Sequence, residues 1–370
     1  MIYFDYNATT PIDPEVANAM KPFIDGRFGN PSSGHAMGRE AKRAVEEARA
    51  QIAAFLGCDA DEVLFTSGGS ESNNYVIKGV AHSFRNKGNH IITTQIEHPS
   101  VLNPCAFLEQ MGYRVSYAPV DEYGRVAAEE IGKLITGKTI LVSVMHANNE
   151  TGTIQPIREI AKLCRNKNVF LHTDAAQSLG KIPANVRELG VDFLTVAGHK
   201  LYAPKGIGAT YIRRGIQIEP LIHGAGHESG RRAGTENVIF DVALGKACEI
   251  AGRHLANNKI KELTGYLHGR LMEAFGAMIR LNGHPSERLP NTLNISFIGY
   301  EGHVIMDQMG DAAVSTGSAC HTGLTTISPV LKAMNVSEEN ARGAVRFSLG
   351  RYTTKDEIDA LIERLQHIIK

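Results

Sequence analysis

The sequence predicts an α/β protein with a doubly wound sheet and a second, smaller domain. Short apolar runs of strand length alternate along the chain with stretches whose apolar residues recur at helical spacing. At 370 residues the chain exceeds the size that one hydrophobic core usually serves, so two domains are expected. Several apolar runs end in polar clusters, and open parallel sheets bind ligands at the carboxyl ends of their strands. We therefore expect a functional site at that edge of the sheet.

Capping residues and breakers set the bounds of the predicted elements. Asp13 and Pro14 begin the first helix as its cap and first-turn residue, and Gly57 ends the helix that starts at His35. Strands are predicted at residues 62–66, 89–94, 114–118, 139–145, 169–174, 191–197 and 207–212, and again at 293–297 and 344–351. Further helices are predicted at residues 157–166 and from Lys355 onward, and a long helical stretch is predicted at 242–277, with the passage to the smaller domain in its middle.

Composition and charge are those of an ordinary globular enzyme. Hydrophobic residues make up 43% of the chain, charged residues 21%, and the formal net charge is zero. No electrostatic argument therefore favours nucleic acid or a membrane surface as a partner. We find no apolar run of membrane-spanning length and no N-terminal signal pattern. The dispersed cysteines argue against a disulfide framework or a zinc site and favour reduced thiols in the cytoplasm; they are Cys58, Cys105, Cys164, Cys248 and Cys320.

Two predicted strands are each followed by residues with cofactor chemistry. The first strand ends at Asp174 and leads to Gln177, and the second ends just before His199 and Lys200. A lysine that forms a Schiff base and an aspartate that faces a pyridinium nitrogen are what pyridoxal phosphate (PLP) requires. Lys200 reacts only when neutral, so we expect burial or nearby cations to lower its pKa. The alternative is that Asp174 is only a helix cap and Lys200 a solvated loop lysine.

A Gly/Ser-rich segment at residues 67–74 is a candidate phosphate site. It follows the strand at 62–66 and leads into a helix that reaches about Phe84. Backbone N–H groups at the start of such a helix point at an anion, and the helix dipole favours it. A simple capped turn is the alternative. The segment matches neither GxGxxG nor a Walker sequence, so dinucleotide and nucleoside triphosphate sites lack their fingerprints.

Other polar residues are placed to join this site. His98 and Asn149 each follow a predicted strand, although both could equally be ordinary loop residues. The Gly/Arg-rich loop at residues 224–235 is either a linker or a segment that meets a phosphate. Arg346 could bind a carboxylate bidentately or pair at the surface. Cys320 lies among small residues that predict a mobile loop, where an accessible thiol is catalytic or incidental.

Taken together, these segments resemble the cysteine desulfurases of the NifS/IscS type, within the class-V, fold-type-I PLP enzymes. The resemblance covers essentially the whole chain, and its motifs occur in the family's order. They are Asp5–Pro11 (DYNATTP), Thr66–Ser72 (TSGGSES), Glu97-His98, Asn148–Gly152 (NNETG), Asp174–Gln177 (DAAQ), Gly198–Lys200 (GHK), Arg232–Thr235 (RAGT) and Gly317–Cys320 (GSAC). The family also includes selenocysteine lyases.

The resemblance implies a fold and a role for each matching residue. It implies a large domain at residues 14–257 with a mostly parallel seven-stranded sheet between helices. A small α+β domain at residues 1–13 and 258–370 would carry the cysteine loop, about residues 314–328. The implied catalytic residues are Lys200 as the Schiff-base lysine and later proton carrier, Cys320 as the nucleophile, and His98, which stacks on the cofactor ring. The implied cofactor-binding residues are Gly69, Ser70, His98, Asn149, Asp174 (ring nitrogen), Gln177 (phenolic oxygen), His199, Lys200 and, from the other subunit of a homodimer, Thr235.

The implied reaction is conversion of L-cysteine to L-alanine with transfer of sulfur to Cys320 as a persulfide. Asn149 and Arg346 would bind the substrate. The sulfur would pass to an acceptor protein, such as a scaffold for iron–sulfur clusters or another thio-cofactor pathway. No intrinsic metal is expected, although Cys320 could ligate a transferred iron–sulfur cluster. A selenocysteine lyase and a class-V aminotransferase are the alternatives. One departure from the family pattern is Ala197, where a phosphate-binding serine is usual, so one phosphate hydrogen bond is expected to be missing.

Overall fold

The computed structural model describes residues 2–316 and 327–370. Its strands are β1 (Ile2–Tyr3), β2 (Val63–Thr66), β3 (His90–Thr94), β4 (Arg114–Ala118), β5 (Thr139–Ser143), β6 (Phe170–Asp174), β7 (Phe193–Ala197), β8 (Gly208–Ile212), β9 (Ile279–Asn282), β10 (Thr292–Phe297), β11 (Ala312–Ala313) and β12 (Ala344–Ser348). Its helices are α1 (Pro14–Asp25), α2 (Ala36–Leu56), α3 (Gly69–Phe84), α4 (Pro99–Gln110), α5 (Ala128–Leu134), α6 (Ile157–Asn166), α7 (Val186–Leu189), α8 (Val238–His254), α9 (Lys259–Phe275), α10 (Gly302–Gln308), α11 (Pro329–Ala333), α12 (Glu338–Arg342) and α13 (Lys355–Ile368).

The largest sheet confirms the predicted α/β class. Within the described residues it has seven strands in the order β2-β8-β7-β6-β5-β3-β4. Strand β8 runs antiparallel to both of its neighbours, and the pairs from β7 through β4 are parallel. The parallel strands β5, β6 and β7 are buried almost throughout, polar residues included, because helices cover both faces of the sheet. This arrangement places the carboxyl ends of those strands at one edge.

Two apolar clusters pack on the sheet from its opposite faces. One cluster joins α1, α2, α6 and α8 to the sheet, with Val45 and Leu244 among its fully buried members. The other joins α3 and α4, with Val76 and Val101 at its centre. The sheet is therefore the middle layer of three, as alternating strands and helices require.

The two ends of the chain meet in a separate apolar cluster. Phe4 from the N-terminal arm packs with side chains of α9 and α13 and with the antiparallel strands β9, β10 and β12. Strand β1 pairs in parallel with β11, which ties the arm to the same region. This packing agrees with a small domain built from both chain ends; the boundaries at residues 13/14 and 257/258 stay a prediction.

The long helical stretch predicted at residues 242–277 consists of two helices. Helix α8 ends at His254 and α9 begins at Lys259. The break falls at Asn257 and Asn258, and the Asn257 side chain accepts the backbone N–H of Lys259. Asparagine competes with helical hydrogen bonds in this way, so it favours helix ends over helix interiors.

The last strand is also shorter than predicted, since β12 ends at Ser348 instead of residue 351. Gly350 and Thr353 form a turn there, in which the Thr353 N–H donates to the Gly350 carbonyl oxygen. In the part of the chain that the structure describes, no helix combines the length and the apolar character needed to cross a membrane.

Candidate active site

A cavity of about 230 Å³ lies at the carboxyl ends of the parallel strands. It brings together nine of the residues that the sequence singled out. Its lining is Asn7, Ala8, Gly69, Ser70, Asn73, His98, Ser100, Met145, Ala147, Asn149, Asp174, Ala176, Gln177, Ala197, His199, Lys200 and Arg346. Thr235 is exposed and lies outside this lining, and Cys320 falls outside the described residues. The catalytic and binding roles of these residues remain predictions.

A single tight turn directly after β7 presents Lys200 to the cavity. The turn spans Gly198–Lys200. A Cβ atom on Gly198 would lie 2.8 Å from the Ile207 carbonyl oxygen, so the close approach of β8 requires glycine. The Lys200 Nζ donates hydrogen bonds to the carbonyl oxygens of Asn7 at 2.5 Å and of Ala8 at 2.7 Å. The N-terminal arm therefore holds the amine at the cavity wall.

The surroundings of Lys200 favour its neutral form. Burial and, to a smaller extent, the Arg346 guanidinium lower the pKa of the Lys200 amine to about 8, against the raising effect of Asp5 and Asp174. A neutral amine is the nucleophile that Schiff-base chemistry requires. The sequence-based expectation that this lysine is activated by burial and a cation is therefore met by the geometry.

Asp174 ends β6 at the floor of the cavity. Its Oδ1 accepts the backbone N–H of Ala176 at 2.9 Å, and its Oδ2 accepts the Asn73 side-chain amide at 2.7 Å. The carboxylate is buried, and these two hydrogen bonds fix its orientation. Asn73 is a residue that sequence reasoning missed; the signal was its position three residues after Ser70, on the same face of α3.

His98 caps helix α4 and borders the cavity. Its Nδ1 accepts the backbone N–H of Ser100 at 3.1 Å and contacts the Ser100 hydroxyl at 2.7 Å. Because Nδ1 is an acceptor, the neutral ring carries its proton on Nε2. Partial enclosure by protein lowers the pKa of this imidazole, and Lys200 lowers it too, against the raising effect of Asp174, so the neutral ring is favoured. Asn73 also donates to the Ser100 hydroxyl, which links His98 to Asp174.

The start of helix α3 fits a phosphate group. Helix α3 begins at Gly69, and its N-cap residue Gly68 supplies no side-chain hydrogen bond to the first turn. The first-turn N–H groups of a helix are otherwise orphaned and attract anions. Gly69 and Ser70 line the cavity together with His199. Residue 197 is alanine, and its methyl group lies 3.3 Å from the position that a Cβ atom on Gly69 would take. The serine hydroxyl that is usual at this position is therefore absent from the start of α3.

Asn7 is a second residue that the sequence analysis left without a role. Its carbonyl oxygen accepts from the Gln177 Nε2 at 2.9 Å as well as from Lys200. Its side chain accepts from the Lys181 Nζ at 3.0 Å and donates to the Thr292 hydroxyl at 2.9 Å. The N-terminal arm therefore joins the lysine turn, the Asp174–Gln177 segment and β10 in one hydrogen-bonded network.

Arg346 reaches the cavity from strand β12. Its guanidinium donates to the Asn149 carbonyl oxygen at 2.9 Å and pairs with the Asp5 carboxylate at 2.6 Å. Its Nε is buried and has no hydrogen-bond partner among the described residues. A buried donor without a partner is costly, and a carboxylate ligand would satisfy it. The site thus fits the carboxylate-binding role expected of Arg346.

The Gly/Arg-rich loop is anchored to the rest of the protein by Glu228 and Arg232, so it is not a loose linker. The Glu228 carboxylate is buried, and Arg49 donates to it bidentately at 2.7 and 2.8 Å. The backbone N–H of Phe65 in β2 also donates to Glu228, at 3.0 Å. Later in the loop, Arg232 pairs with Glu71 in the first turn of α3. These bonds hold the loop that carries Thr235 beside the N-terminal end of α3.

The cysteines of the described chain are poor nucleophiles. Burial raises the pKa of the Cys105 and Cys164 thiols to about 12 and that of Cys248 still further. Cys58 is half-buried, and burial with the nearby Glu62 and Asp59 raises its pKa to about 12 as well. A thiol reacts as its thiolate, so these four groups are largely inert at neutral pH.

Comparison with known proteins agrees with this fold. A family model described as aminotransferase class-V matches residues 2–361. The cysteine desulfurase IscS of Dictyoglomus turgidum is 48% identical over the whole chain and 94% of that protein's length. IscS of Rickettsia prowazekii is 47% identical, over 97% of this chain and 88% of its own.

Solved structures give the same picture. A NifS-like protein superposes with a TM-score of 0.93 at 40% identity, covering 99% of this chain and 98% of its own. A protein described as SspA in complex with cysteine superposes with a TM-score of 0.86 at 36% identity, covering 96% of this chain and 100% of its own. The chain therefore belongs to the class-V aminotransferase family, which implies dependence on PLP. Within that family it is a member of the NifS/IscS type of cysteine desulfurases.

Proposed function

We propose that this protein is a PLP-dependent cysteine desulfurase that converts L-cysteine to L-alanine and collects the sulfur on Cys320 as a persulfide. One observation carries the proposal: Lys200, whose pKa is lowered, shares a single cavity with Asp174 and His98 in a chain of this family. A structural lysine would be expected to have a carboxylate hydrogen-bond partner, whereas the Lys200 amine meets two carbonyl oxygens.

Different residues of the cavity lining would bind different parts of the cofactor. The start of α3 at Gly69 and Ser70, with His199, would bind the phosphate, and Asp174 would face the ring nitrogen. Gln177 would donate to the phenolic oxygen, and His98 would cover one face of the ring. Once attached to Lys200, PLP supplies an electron sink for the substrate's α-carbon. After release from the cofactor, Lys200 is placed to move the α-proton, and Arg346 with Asn149 would orient the substrate carboxylate.

The described residues on either side of the Cys320 segment are anchored beside this cavity. Ser315 exchanges backbone hydrogen bonds with Arg346 at 3.2 and 2.6 Å. On the other side, the Ser328 hydroxyl donates to the Glu150 carboxylate at 2.5 Å. From Ser315 to Cys320, an extended chain spans up to about 17 Å. This length supports the proposal that the Cys320 thiol can reach a substrate bound at Arg346.

In the proposed transfer, the Cys320 thiolate attacks the sulfur of the substrate. A sulfur–sulfur bond forms while the carbon–sulfur bond of the substrate breaks, and the bonding pair goes to the carbon. Protonation of that carbon completes alanine, so cysteine and one enzyme thiol give alanine and one persulfide. Attack requires a thiolate. The four described thiols have raised pKa values, so they do not compete with Cys320 for the substrate sulfur.

A homodimer with Thr235 contributed across its interface belongs to the same proposal. Thr235 is exposed and lies outside the cavity of its own chain, while its loop is anchored to α3 through Arg232. The proposed fate of the sulfur is transfer to an acceptor protein, such as a scaffold for iron–sulfur clusters. The relatives that carry the name IscS support this assignment.

The proposed activity predicts stoichiometric alanine from L-cysteine without any added keto acid. The purified protein is loaded with PLP and given L-cysteine and a thiol reductant, and alanine and sulfide are quantified. L-Selenocysteine is tested in parallel. Turnover of selenocysteine with negligible turnover of cysteine would identify a selenocysteine lyase. Turnover that requires a keto acid would identify an aminotransferase, and either result would overturn the proposal.

The lowered pKa of Lys200 predicts how PLP uptake depends on pH. The ordinary pKa of a lysine is 10.5 and that of Lys200 is about 8, so its neutral form becomes dominant above pH 8. The rate of covalent PLP attachment to the PLP-free protein should rise about tenfold per pH unit below pH 8 and level off above it. The measurement is visible absorbance after rapid mixing. A rate that keeps rising to pH 10 would contradict the lowered pKa.

A further inference from the structure

Lys181 is a lysine beside the cavity to which no sequence motif gives a role. Its amine is enclosed by protein, with Nζ 2.9 Å from the Gln177 Oε1 and 3.0 Å from the Asn7 Oδ1. Among the described residues, its hydrogen-bond partners are thus two amide oxygens. The charged groups that act on it are Lys200 and Arg346, and both are cations. Burial and these two cations hold the pKa of Lys181 well below its usual value.

In both contacts the Lys181 Nζ donates to an amide oxygen. Because the Gln177 Oε1 faces Lys181, the Nε2 of the same amide lies on the other side. There the Nε2 donates to the Asn7 carbonyl oxygen at 2.9 Å. The same oxygen accepts from the Lys200 Nζ at 2.5 Å, so the Gln177 donor lies on the Lys200 side of the cavity.

We propose that Lys181 is a positioning residue that fixes the amide of Gln177, with its N–H donors directed at the cofactor pocket. This inference rests on the proposed function, because the group that receives the second N–H of Gln177 would be the phenolic oxygen of PLP. Without the Lys181 amine, the observed orientation of the Gln177 amide depends on the Asn7 carbonyl oxygen alone, an acceptor that it shares with Lys200. The flipped orientation presents an oxygen to an oxygen, which is repulsive.

The same bonds give Lys181 a second effect, on the N-terminal arm. The Asn7 Oδ1 accepts a hydrogen bond from the Lys181 Nζ, and the Asn291 side-chain amide donates to the same atom at 3.1 Å. The Asn7 carbonyl is the acceptor for the Lys200 amine. Lys181 therefore holds both the Gln177 amide and Asn7, the residue whose carbonyl oxygen accepts from Lys200. It does not contact the reacting atoms itself.

The first test uses PLP-free protein, so it does not depend on the proposed function. Lys181→Met keeps the length of the side chain and removes its donor. Solvent exchange of the Gln177 side-chain amide protons is followed by NMR, with the signal assigned from a Gln177→Leu variant. We expect exchange in Lys181→Met to be roughly three- to tenfold faster than in the unmodified protein. Equal exchange would overturn the proposal.

The second test reads the cofactor spectrum. In the PLP-loaded protein, the pH midpoint of the visible absorption transition is expected to shift by about half a unit or more in Lys181→Met. The shift should have the same sign as in Gln177→Leu. In the double variant the two shifts should not add, because both act through one amide. Additive or opposite shifts would show that Lys181 does not act through Gln177.

Matched controls separate this proposal from other causes. Lys162→Met removes an exposed lysine from α6 and should leave both readouts unchanged. If Lys181→Met does not fold, as judged by thermal unfolding, Lys181→Gln keeps a donor and should show smaller changes in the same direction. Absence of any PLP spectrum in the unmodified protein would count against the proposed function. The amide exchange of Gln177 would still decide the role of Lys181.

Discussion

Replacing Lys200 with alanine is expected to abolish alanine formation from L-cysteine. The loss should be about 10³-fold or more, because Lys200 is assigned both the covalent attachment of PLP and the movement of the α-proton. General acid–base transfer by itself is typically worth about 10²–10⁴-fold in rate. The measurement is the initial rate of alanine formation with PLP in excess.

Peptide mapping identifies the lysine that carries PLP. Borohydride reduction of the PLP-loaded protein should fix the cofactor to the peptide that contains Lys200, and the alanine variant should give no such adduct. Lys205→Ala is the matched control, since Lys205 is an exposed lysine five residues further along the same loop. Its rate and its adduct at Lys200 should be those of the unmodified protein. An adduct on any other lysine would overturn the assignment.

Replacing Cys320 with serine should eliminate the enzyme-bound persulfide while PLP binding is kept. Loss of a covalent nucleophile lowers rates by on the order of 10⁴-fold or more, and the four other thiols are too weakly acidic to substitute. Mass spectrometry after exposure to L-cysteine should show one added sulfur on the peptide with Cys320 in the unmodified protein. The serine variant should show none.

Cys58→Ser provides the matched control for this experiment. Cys58 is half-buried, and burial with the acidic groups around it raises its pKa to about 12. We therefore expect this variant to form the persulfide on Cys320 at an unchanged rate. Sulfide release by Cys320→Ser at the unmodified rate, or an added sulfur on Cys58, would show that the nucleophile was assigned wrongly.

Local patterns in the sequence were enough to place most elements of the large sheet. Strand β4 and helix α6 have the predicted bounds, Arg114–Ala118 and Ile157–Asn166. The cap Asp13 and the left-handed Gly57 lie where their chemistry predicted a helix start and a helix end. These features depend on residues within one or two turns of each other, so a single sequence reports them. The helical periodicity at residues 242–277 did not itself mark the break between α8 and α9, which two asparagines cause.

The sequence by itself indicated nine of the residues that line the cavity, most of them because polar groups that follow parallel strands share one edge of the sheet. It did not determine the groups that hold them. Asn7 and Lys200 are 193 positions apart, Asn73 and Asp174 are 101 apart, and neither contact follows from periodicity. The lowered pKa of Lys200 likewise depends on burial and on Arg346, which strand β12 brings from the far end of the chain. Such electrostatic effects arise only when folding excludes water and sets distances, so the tertiary structure decided them.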